Sequence, residues 1–239
     1  MSPPAAAMVL AAGLGTRMRP LTDDRPKALV EVGGKALIDH MLERLAGAGV
    51  RKAVVNVHAF ADRLEAHLKA RTGPPAIAIS DERDLLLETG GGLKKARPLL
   101  GEAPIWAANI DSVWLEGERP ALPALAQAFD ADRMDACLLL APLERTLGFD
   151  GPGDFFLGDD GRLAHRGAAA RAPYAYIGAQ IIRPQAVDSG PEGPFSLFPT
   201  WMEMIGRGRL YGAVMDGFWM HVGDPRAREA AEARLATVL

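Results

Sequence analysis

The sequence is poor in the residues that build disulfide scaffolds, membrane spans and nucleic-acid surfaces. It has one cysteine, Cys137, so no intramolecular disulfide can form. No apolar run approaches the roughly 18 residues that a transmembrane helix needs. Lys and Arg number 27 against 30 Asp and Glu, without a long basic run, which argues against a nucleic-acid partner. These absences predict a globular, cytoplasmic protein with no membrane or nucleic-acid partner.

The remaining composition is that of an ordinary globular protein. Hydrophobic residues make up 49% of the 239 residues and charged residues 24%, which suffices for one large α/β domain or two small ones. Cys137 lies in an apolar run, residues 136–141, where a buried small hydrophobe is expected rather than a reactive thiol. Residues 1–10 lack a basic n-region and lead directly into a glycine loop, so they predict a first strand and not a signal peptide.

Short apolar runs alternate with helical patterns through the first two thirds of the chain. In residues 37–45 the apolar positions fall on one helical face, and Gly47 and Gly49 are expected to end that helix. Strands are predicted at 6–12, 53–57, 76–79, 105–109 and 136–141, and helices through 64–68, after 92 and near 122–129. This alternation indicates right-handed βαβ units and an α/β fold with a Rossmann-like, doubly wound, mostly parallel sheet.

The pattern changes after about Pro142. Residues 155–164 predict a hairpin around the turn 159–161. Strands are predicted at 174–182 and 210–215, and helices at 195–205 and about 225–238. We expect one domain over residues 1–239, with halves at 1–142 and 143–239, of which the second adds a small antiparallel lobe. Ligands of open α/β sheets bind beyond the carboxyl ends of the strands, so motifs at those ends are the candidates for a site.

The most specific motif follows the first predicted strand, at residues 10–20 (LAAGLGTRMRP). Gly13 and Gly15 allow unusual dihedral angles and close approach, so that backbone N–H groups can surround phosphate oxygens. Arg17 and Lys27 then supply positive charge for a pyrophosphate leaving group. A P-loop is excluded because Gly-Lys-Ser/Thr is absent, and a dinucleotide fingerprint because Met18 stands where its third glycine is needed.

This loop, followed by Pro26-Lys27, resembles the motif of the sugar-1-phosphate nucleotidyltransferases (NDP-sugar pyrophosphorylases). The resemblance covers nearly the whole chain. Its closest branch is the short N-acetylmuramate-1-phosphate uridylyltransferases, followed by mannose-1-phosphate guanylyltransferase-like enzymes. It implies a nucleotide-binding first half and a sugar-binding second half, with Arg17 at the phosphates and Lys27 at the α-phosphate. The residues implied to contact the nucleotide are Leu10, Ala11, Ala12, Gly13, Gly15 and Thr16.

A second glycine-rich segment is Glu88-Thr89-Gly90-Gly91-Gly92. We expect it to precede a helix, because three glycines are costly inside one. A flexible turn is one interpretation. Similar uridylyltransferases carry Glu-Thr-Gly-Gly-Gly at this place, which implies that Glu88, Gly90 and Gly91 bind the nucleotide, with the backbone against the base.

Asn109-Ile110-Asp111 ends a predicted strand. A carboxylate there is a helix or turn cap in many proteins. The family usually has Asn-Gly-Asp at this point, with the aspartate on a divalent cation, so the resemblance implies Asn109 at the nucleotide and Asp111 on Mg²⁺. Mg²⁺ prefers one or two carboxylates plus phosphate oxygens and waters, which suits Asp111. Ile110 replaces the usual glycine.

A departure near residue 221 leaves the second metal ligand open. The family commonly reads Trp-x-Asp-x-Gly-Thr, whereas residues 219–224 read WMHVGD, with His221 at the place of the aspartate. Either His221 is a ligand, or Asp224 substitutes for it, or Asp111 and phosphates hold the metal. Asp224 is equally placed to cap the last helix. A histidine ligand favours Mn²⁺ or Co²⁺ over Mg²⁺.

Three residues are candidates for sugar binding. Asp154 and Gly178 match places where the uridylyltransferases have Gly-Asp-Phe and a strand ending in glycine. Glu144 follows the strand that ends at Ala141. A structural role at the start of the hairpin is the alternative for Asp154.

The resemblance implies an enzyme that transfers a nucleotidyl group from an NTP, with UTP favoured, to a sugar 1-phosphate, with N-acetylmuramate 1-phosphate favoured. The alternatives are a mannose-1-phosphate guanylyltransferase-like enzyme, a cytidylyltransferase acting on a phospho-alcohol, and a non-catalytic nucleotide-binding regulatory domain. A monomer or small homo-oligomer is expected.

Overall fold

The computed structural model describes residues 3–237. Within them the strands are β1 (Ala6–Leu10), β2 (Glu31–Val32), β3 (Lys35–Ala36), β4 (Lys52–Val57), β5 (Ala76–Asp81), β6 (Ile105–Asn109), β7 (Ser112–Leu115), β8 (Ala136–Pro142), β9 (Thr146–Leu147), β10 (Phe155–Leu157), β11 (Leu163–His165), β12 (Tyr174–Ile182), β13 (Leu210–Val214) and β14 (Phe218–His221). The α-helices are α1 (Leu37–Gly47), α2 (Ala61–Ala70), α3 (Glu88–Leu100), α4 (Ala121–Ala128), α5 (Phe198–Gly206) and α6 (Pro225–Ala236).

The central sheet confirms the predicted α/β class. Its strand order is β11-β10-β12-β6-β1-β4-β5, with β8 and β13 joined beside β12. The run β6-β1-β4-β5 is parallel throughout, as the alternation of strands and helices predicts. β12 lies between β6 and β8 and is antiparallel to both. The predicted strand at 136–141, which is β8, therefore pairs with β12 and does not extend the parallel run that ends at β6. The predicted hairpin is present as the antiparallel pair β10–β11.

The sheet separates two hydrophobic cores. α1, α2 and α4 cover one face, and α3 and α5 cover the other. Because successive strand residues point to opposite faces, Val55 packs in the first core and Val54 in the second. Cys137 is buried in the first core, and this burial raises the pKa of its thiol to about 12, which agrees with an inert side chain.

Helix α3 begins at Glu88 and includes the three glycines, so the predicted start after Gly92 is wrong. Close packing explains the sequence: a Cβ on Gly90 would lie 2.4 Å from the Phe195 ring, and one on Gly91 2.4 Å from the Gly193 carbonyl oxygen. Phe195 also donates its backbone N–H to the Leu87 carbonyl oxygen. The backbone of Phe195 is thus paired with the start of α3, and α5 begins at Phe198 and not at 195 as expected.

Local irregularities and a small second sheet shape the second half of the chain. The pairing of β12 with β8 shifts register between Tyr176 and Gln180, where Gly178 adopts φ +84°, so this glycine lies within the strand and does not end it. β7, β14 and β9 form a separate three-stranded sheet that the sequence analysis did not predict. α6 is described to residue 236, and the expected end at Val238 lies outside the described residues. Among residues 3–237, no helix has the length and apolarity required to cross a membrane.

Candidate active site

A cavity of about 360 Å³ lies where β1, β4 and β6 end, at the carboxyl edge of the parallel strands. It brings together the loop after β1, the turn after β6 and the start of α3, which are far apart in sequence. The residues that line it are 10–17, Lys27, Asn56, Leu86, Glu88, Thr89, 109–111 and Gly223. Most nucleotide-site candidates therefore share one cavity, where the open-sheet rule places a ligand.

The glycine loop folds back against the Cβ atom of Lys27. Gly15 has φ +65°, and a Cβ there would lie 3.1 Å from Lys27 Cβ and 3.1 Å from Thr22 Cγ2. The Thr22 hydroxyl donates to the Gly15 carbonyl oxygen at 2.8 Å and fixes this turn. Within residues 3–237, the N–H groups of residues 13–15 donate to no protein acceptor, which leaves them available to phosphate oxygens.

Lys27 and Asp111 form an ion pair in this cavity, although 84 residues separate them in sequence. Lys27 Nζ donates to Asp111 Oδ2 at 2.7 Å, and only 8% of Lys27 is exposed. Burial by itself raises the pKa of the Asp111 carboxyl. The hydrogen bond with His221 and the charge of Lys27 outweigh burial and hold that pKa far below its usual range. Asp111 is therefore an ionised carboxylate suited to binding a cation.

His221 reaches the same carboxylate from β14. The antiparallel pairing of β14 with β7 sets His221 opposite Ser112, and its Nε2 lies 3.4 Å from Asp111 Oδ2. Its Nδ1 lies 3.2 Å from the Gly148 carbonyl oxygen, which can only accept. This contact places a proton on Nδ1. Nε2 carries the second ring proton when it donates to the Asp111 carboxylate, and loss of that proton leaves its lone pair directed towards the same carboxylate, where a cation can lie between the two. A ring nitrogen held in this way is typical of metal-binding histidines.

Asp224, the alternative second ligand, caps a helix. Its Oδ1 accepts the backbone N–H of Ala227 at 2.9 Å at the start of α6, and the residue is exposed. Neither Asp224 nor His221 lines the cavity, but His221 Nε2 contacts the Oδ2 atom of Asp111, which does. Among residues 3–237, no cluster of three His, Cys, Asp or Glu side chains suits a metal ion. The arrangement therefore favours the pair Asp111 and His221.

The glycine-rich segment contributes to the cavity only at its beginning. Glu88 and Thr89 line it, and Glu88 adopts a left-handed φ of +62°, a conformation that is costly for a residue with a side chain. Gly90 and Gly91 are buried outside the lining, and both donate their N–H groups to the Phe195 carbonyl oxygen. The backbone of these two glycines is thus used in packing, and their contact with a nucleotide stays a prediction.

The three sugar-site candidates lie outside the lining of this cavity. Asp154 Oδ2 accepts the Tyr176 N–H at 2.9 Å, and burial raises the pKa of the Asp154 carboxyl. Gly178 lies against Asn109, since a Cβ there would be 3.0 Å from the Asn109 Cβ. Glu144 is exposed in a short 3₁₀ helix. Gly178 therefore borders the nucleotide site, whereas Asp154 holds β12, and the sugar-binding roles stay predictions.

Two buried polar residues were not predicted from the sequence: Asn56, which lines the cavity, and Glu82, to which Asn56 donates a hydrogen bond. Asn56 is 3% exposed and Glu82 is fully buried. The signal was present in the apolar strand at residues 53–57 (AVVNV), where Asn56 is the single polar residue. A polar side chain within a buried strand needs hydrogen-bond partners and so indicates a structured neighbourhood.

Comparison with known proteins finds relatives in sequence and in fold. The family model described as "Nucleotidyl transferase" matches residues 6–109. An N-acetylmuramate alpha-1-phosphate uridylyltransferase from Caulobacter vibrioides is 58% identical over 98% of each chain. A mannose-1-phosphate guanylyltransferase catalytic subunit beta from Danio rerio is 27% identical, over 92% of this chain and 61% of that protein. A crystal structure of a UDP-glucose pyrophosphorylase with UDP-glucose superposes with a TM-score of 0.79 at 15% identity, covering 98% of this chain and 99% of that one.

Proposed function

The chain belongs to the nucleotidyl transferase family, and we propose on that basis that it transfers a uridylyl group from UTP to N-acetylmuramate 1-phosphate, releasing pyrophosphate. The observation that carries the proposal is the contact of Lys27 with Asp111 in a cavity bordered by the glycine loop. The 58% identity to the Caulobacter vibrioides uridylyltransferase supports this choice of base and sugar.

The reaction is an in-line displacement at the α-phosphorus of the NTP. A phosphate oxygen of the sugar 1-phosphate forms the new P–O bond as the bond to the departing pyrophosphate breaks. The attacking oxygen is already anionic near neutral pH, so catalysis rests on positioning and charge neutralisation. Lys27 neutralises charge on the α-phosphate, while Arg17 and the open N–H groups of residues 13–15 neutralise charge on the pyrophosphate.

A divalent cation fits the pair Asp111 and His221. Two ligands that each lie about 2.1 Å from one cation can be at most about 4.2 Å apart, and Asp111 Oδ2 and His221 Nε2 are 3.4 Å apart. Bound there, Mg²⁺, Mn²⁺ or Co²⁺ supplies positive charge at the phosphates. We propose that Lys27, which shares Asp111 Oδ2 in this structure, turns to the α-phosphate when the substrate binds.

A matrix of NTPs against sugar 1-phosphates, read by pyrophosphate release with Mg²⁺ present, tests the substrate pair. We expect UTP with N-acetylmuramate 1-phosphate to give the highest kcat/KM. GTP with mannose 1-phosphate as the best pair would replace this proposal with the guanylyltransferase alternative, and CTP with a phospho-alcohol would replace it with the cytidylyltransferase one. Nucleotide binding without turnover would indicate a regulatory domain. A cytoplasmic location and a monomeric or small homo-oligomeric state stay predictions.

A further inference from the structure

Asn56 and Glu82 connect two segments that contribute residues to the cavity, the loop after β1 and the start of α3, through a series of buried hydrogen bonds. Asn56 Oδ1 accepts the backbone N–H groups of Ala11 at 2.6 Å and Ala12 at 3.2 Å. Asn56 Nδ2 donates to Glu82 Oε1 at 2.8 Å. Glu82 Oε2 accepts the Leu87 N–H at 3.1 Å. The loop after β1 is thereby tied to the segment that enters α3.

The donors at the two ends of this series of hydrogen bonds determine which pair of side chains can connect them. Both ends are backbone N–H groups, so the two side chains must present acceptors outward at each end. One amide and one carboxylate satisfy this condition, because the carboxylate accepts on both sides while the amide accepts on one side and donates on the other. Two amides would leave two donors facing each other, and two ionised carboxylates would leave two acceptors facing each other.

The third glycine of α3 belongs to the same arrangement. A Cβ on Gly92 would lie 2.9 Å from Glu82 Oε1 and 3.0 Å from Asn56 Nδ2. Gly92 therefore leaves the space in which the two side chains meet. Its position in the helix is explained by these contacts, without any contact between Gly92 and a ligand.

We propose that Asn56 and Glu82 are positioning residues that set the geometry of the nucleotide site for the reaction proposed above. The Glu82 carboxylate fixes the orientation of the Asn56 amide, which in turn holds the N–H groups of Ala11 and Ala12. The loop then enters residues 13–15 with a fixed direction, and these are the residues whose N–H groups are open. At the other end, Leu87 fixes the approach to Glu88 and Thr89, which also line the cavity.

The condition on donors and acceptors provides a sharp test. Glu82→Gln and Asn56→Asp each break the alternation without changing the size of the side chain. The double variant Asn56→Asp/Glu82→Gln restores it in the reverse order. The new carboxylate at position 56 then accepts from the loop and from the new amide at position 82, and the oxygen of that amide accepts from Leu87. Val55→Ala is the matched control, since Val55 is buried on the opposite face of the same strand.

Two measurements follow from this design. Amide exchange in the ligand-free protein should be about tenfold faster or more at Ala11 and Ala12 in Glu82→Gln and Asn56→Asp, and near the parent rate in the double variant. The Kd for the NTP that the parent protein prefers, measured without acceptor, should rise about tenfold or more in the single variants and return in the double variant. Val55→Ala should lower the Tm and leave both quantities unchanged.

Exchange and Kd that stay at the parent values in the folded single variants would overturn the proposal, as would a folded double variant with the defects of the single ones. If neither single variant folds, the double variant decides: amide exchange and Kd near the parent values support the proposal, and altered values overturn it. A parent protein that binds no NTP would contradict the proposed function, and amide exchange would still test the positioning role separately.

Discussion

Lys27 places an ammonium group in the wall of the active-site cavity, paired with Asp111 at 2.7 Å. Because the α-phosphate gains negative charge mainly in the transition state, Lys27→Ala should lower kcat by a factor of order 10²–10³, with a smaller effect on NTP binding. Steady-state kinetics with a separate measurement of the NTP Kd tests this. Lys35→Ala, which removes a half-exposed lysine paired with Glu43, is the control. Unchanged turnover in Lys27→Ala would exclude Lys27 from the mechanism.

His221 should decide which metal the enzyme prefers. Imidazole is a poor ligand for Mg²⁺ and a better one for Mn²⁺ or Co²⁺. We therefore expect higher activity with Mn²⁺ or Co²⁺ than with Mg²⁺, and a return to Mg²⁺ in His221→Asp. Activity assays over the three metals test this in both proteins. If His221→Ala keeps the parent metal dependence while Asp111→Ala abolishes activity, then His221 is not a metal ligand.

The candidate site residues predicted from the sequence belong to short contiguous motifs or directly follow a predicted strand. Residues 10–17 and Lys27 are recognisable from their spacing, and Asp111 from its place after β6. Asn56 and Glu82 were missed because their significance depends on each other, and 26 residues separate them. The proposal of His221 over Asp224 as a metal ligand depends on the strand pairing that sets His221 beside Asp111, which the sequence does not contain.

At the scale of the secondary-structure elements, Asp224 at the start of α6 allows a helix-capping role to be distinguished from a metal-binding role. Asp224 accepts the Ala227 N–H, so Asp224→Ala should lower the free energy of unfolding by about 1 kcal/mol and leave metal dependence unchanged. Asp224→Asn, which can still cap the helix, should lose only a fraction of this stability. Chemical denaturation and a metal titration of activity measure the two effects. A changed metal preference in both variants would return Asp224 to the metal site.

The glycines of α3 provide a second test at this scale. A Cβ on Gly90 would lie 2.4 Å from the Phe195 ring, so Gly90→Ala should cost about 1–3 kcal/mol of stability by overpacking. Gly47→Ala is a matched control in α1, because a Cβ there meets nothing within 4 Å, and it should be neutral or stabilising. Equal stability of the two variants, measured by denaturant unfolding, would contradict the packing explanation.

The low helix propensity of glycine led to the wrong sequence prediction for the start of α3. Three glycines argue against a helix interior when propensity is considered alone. The structure places them in α3 because Gly193, Phe195 and Glu82 approach its backbone closely. Those neighbours come from distant parts of the chain, so a local pattern contains no information about them.

At the scale of the whole molecule, the sequence predicted the parallel part of the sheet well. The four strands β1, β4, β5 and β6 follow local periodicity and the handedness of βαβ units. The antiparallel entry of β12 between β6 and β8 was not predicted, because strand order there depends on pairing between segments that are distant in the sequence. The division into a nucleotide-binding half and a sugar-binding half stays a prediction, since one sheet runs through both.

The fate of labelled phosphate tests the central claim, which is displacement at the α-phosphorus. The enzyme is incubated with sugar 1-phosphate and with UTP that carries a label on either the α- or the γ-phosphate. We predict that the α-label enters the nucleotide sugar and the γ-label leaves as pyrophosphate, one per sugar nucleotide formed, and that Lys27→Ala slows both equally. Release of the γ-label as orthophosphate, or its transfer to the sugar phosphate, would contradict this account.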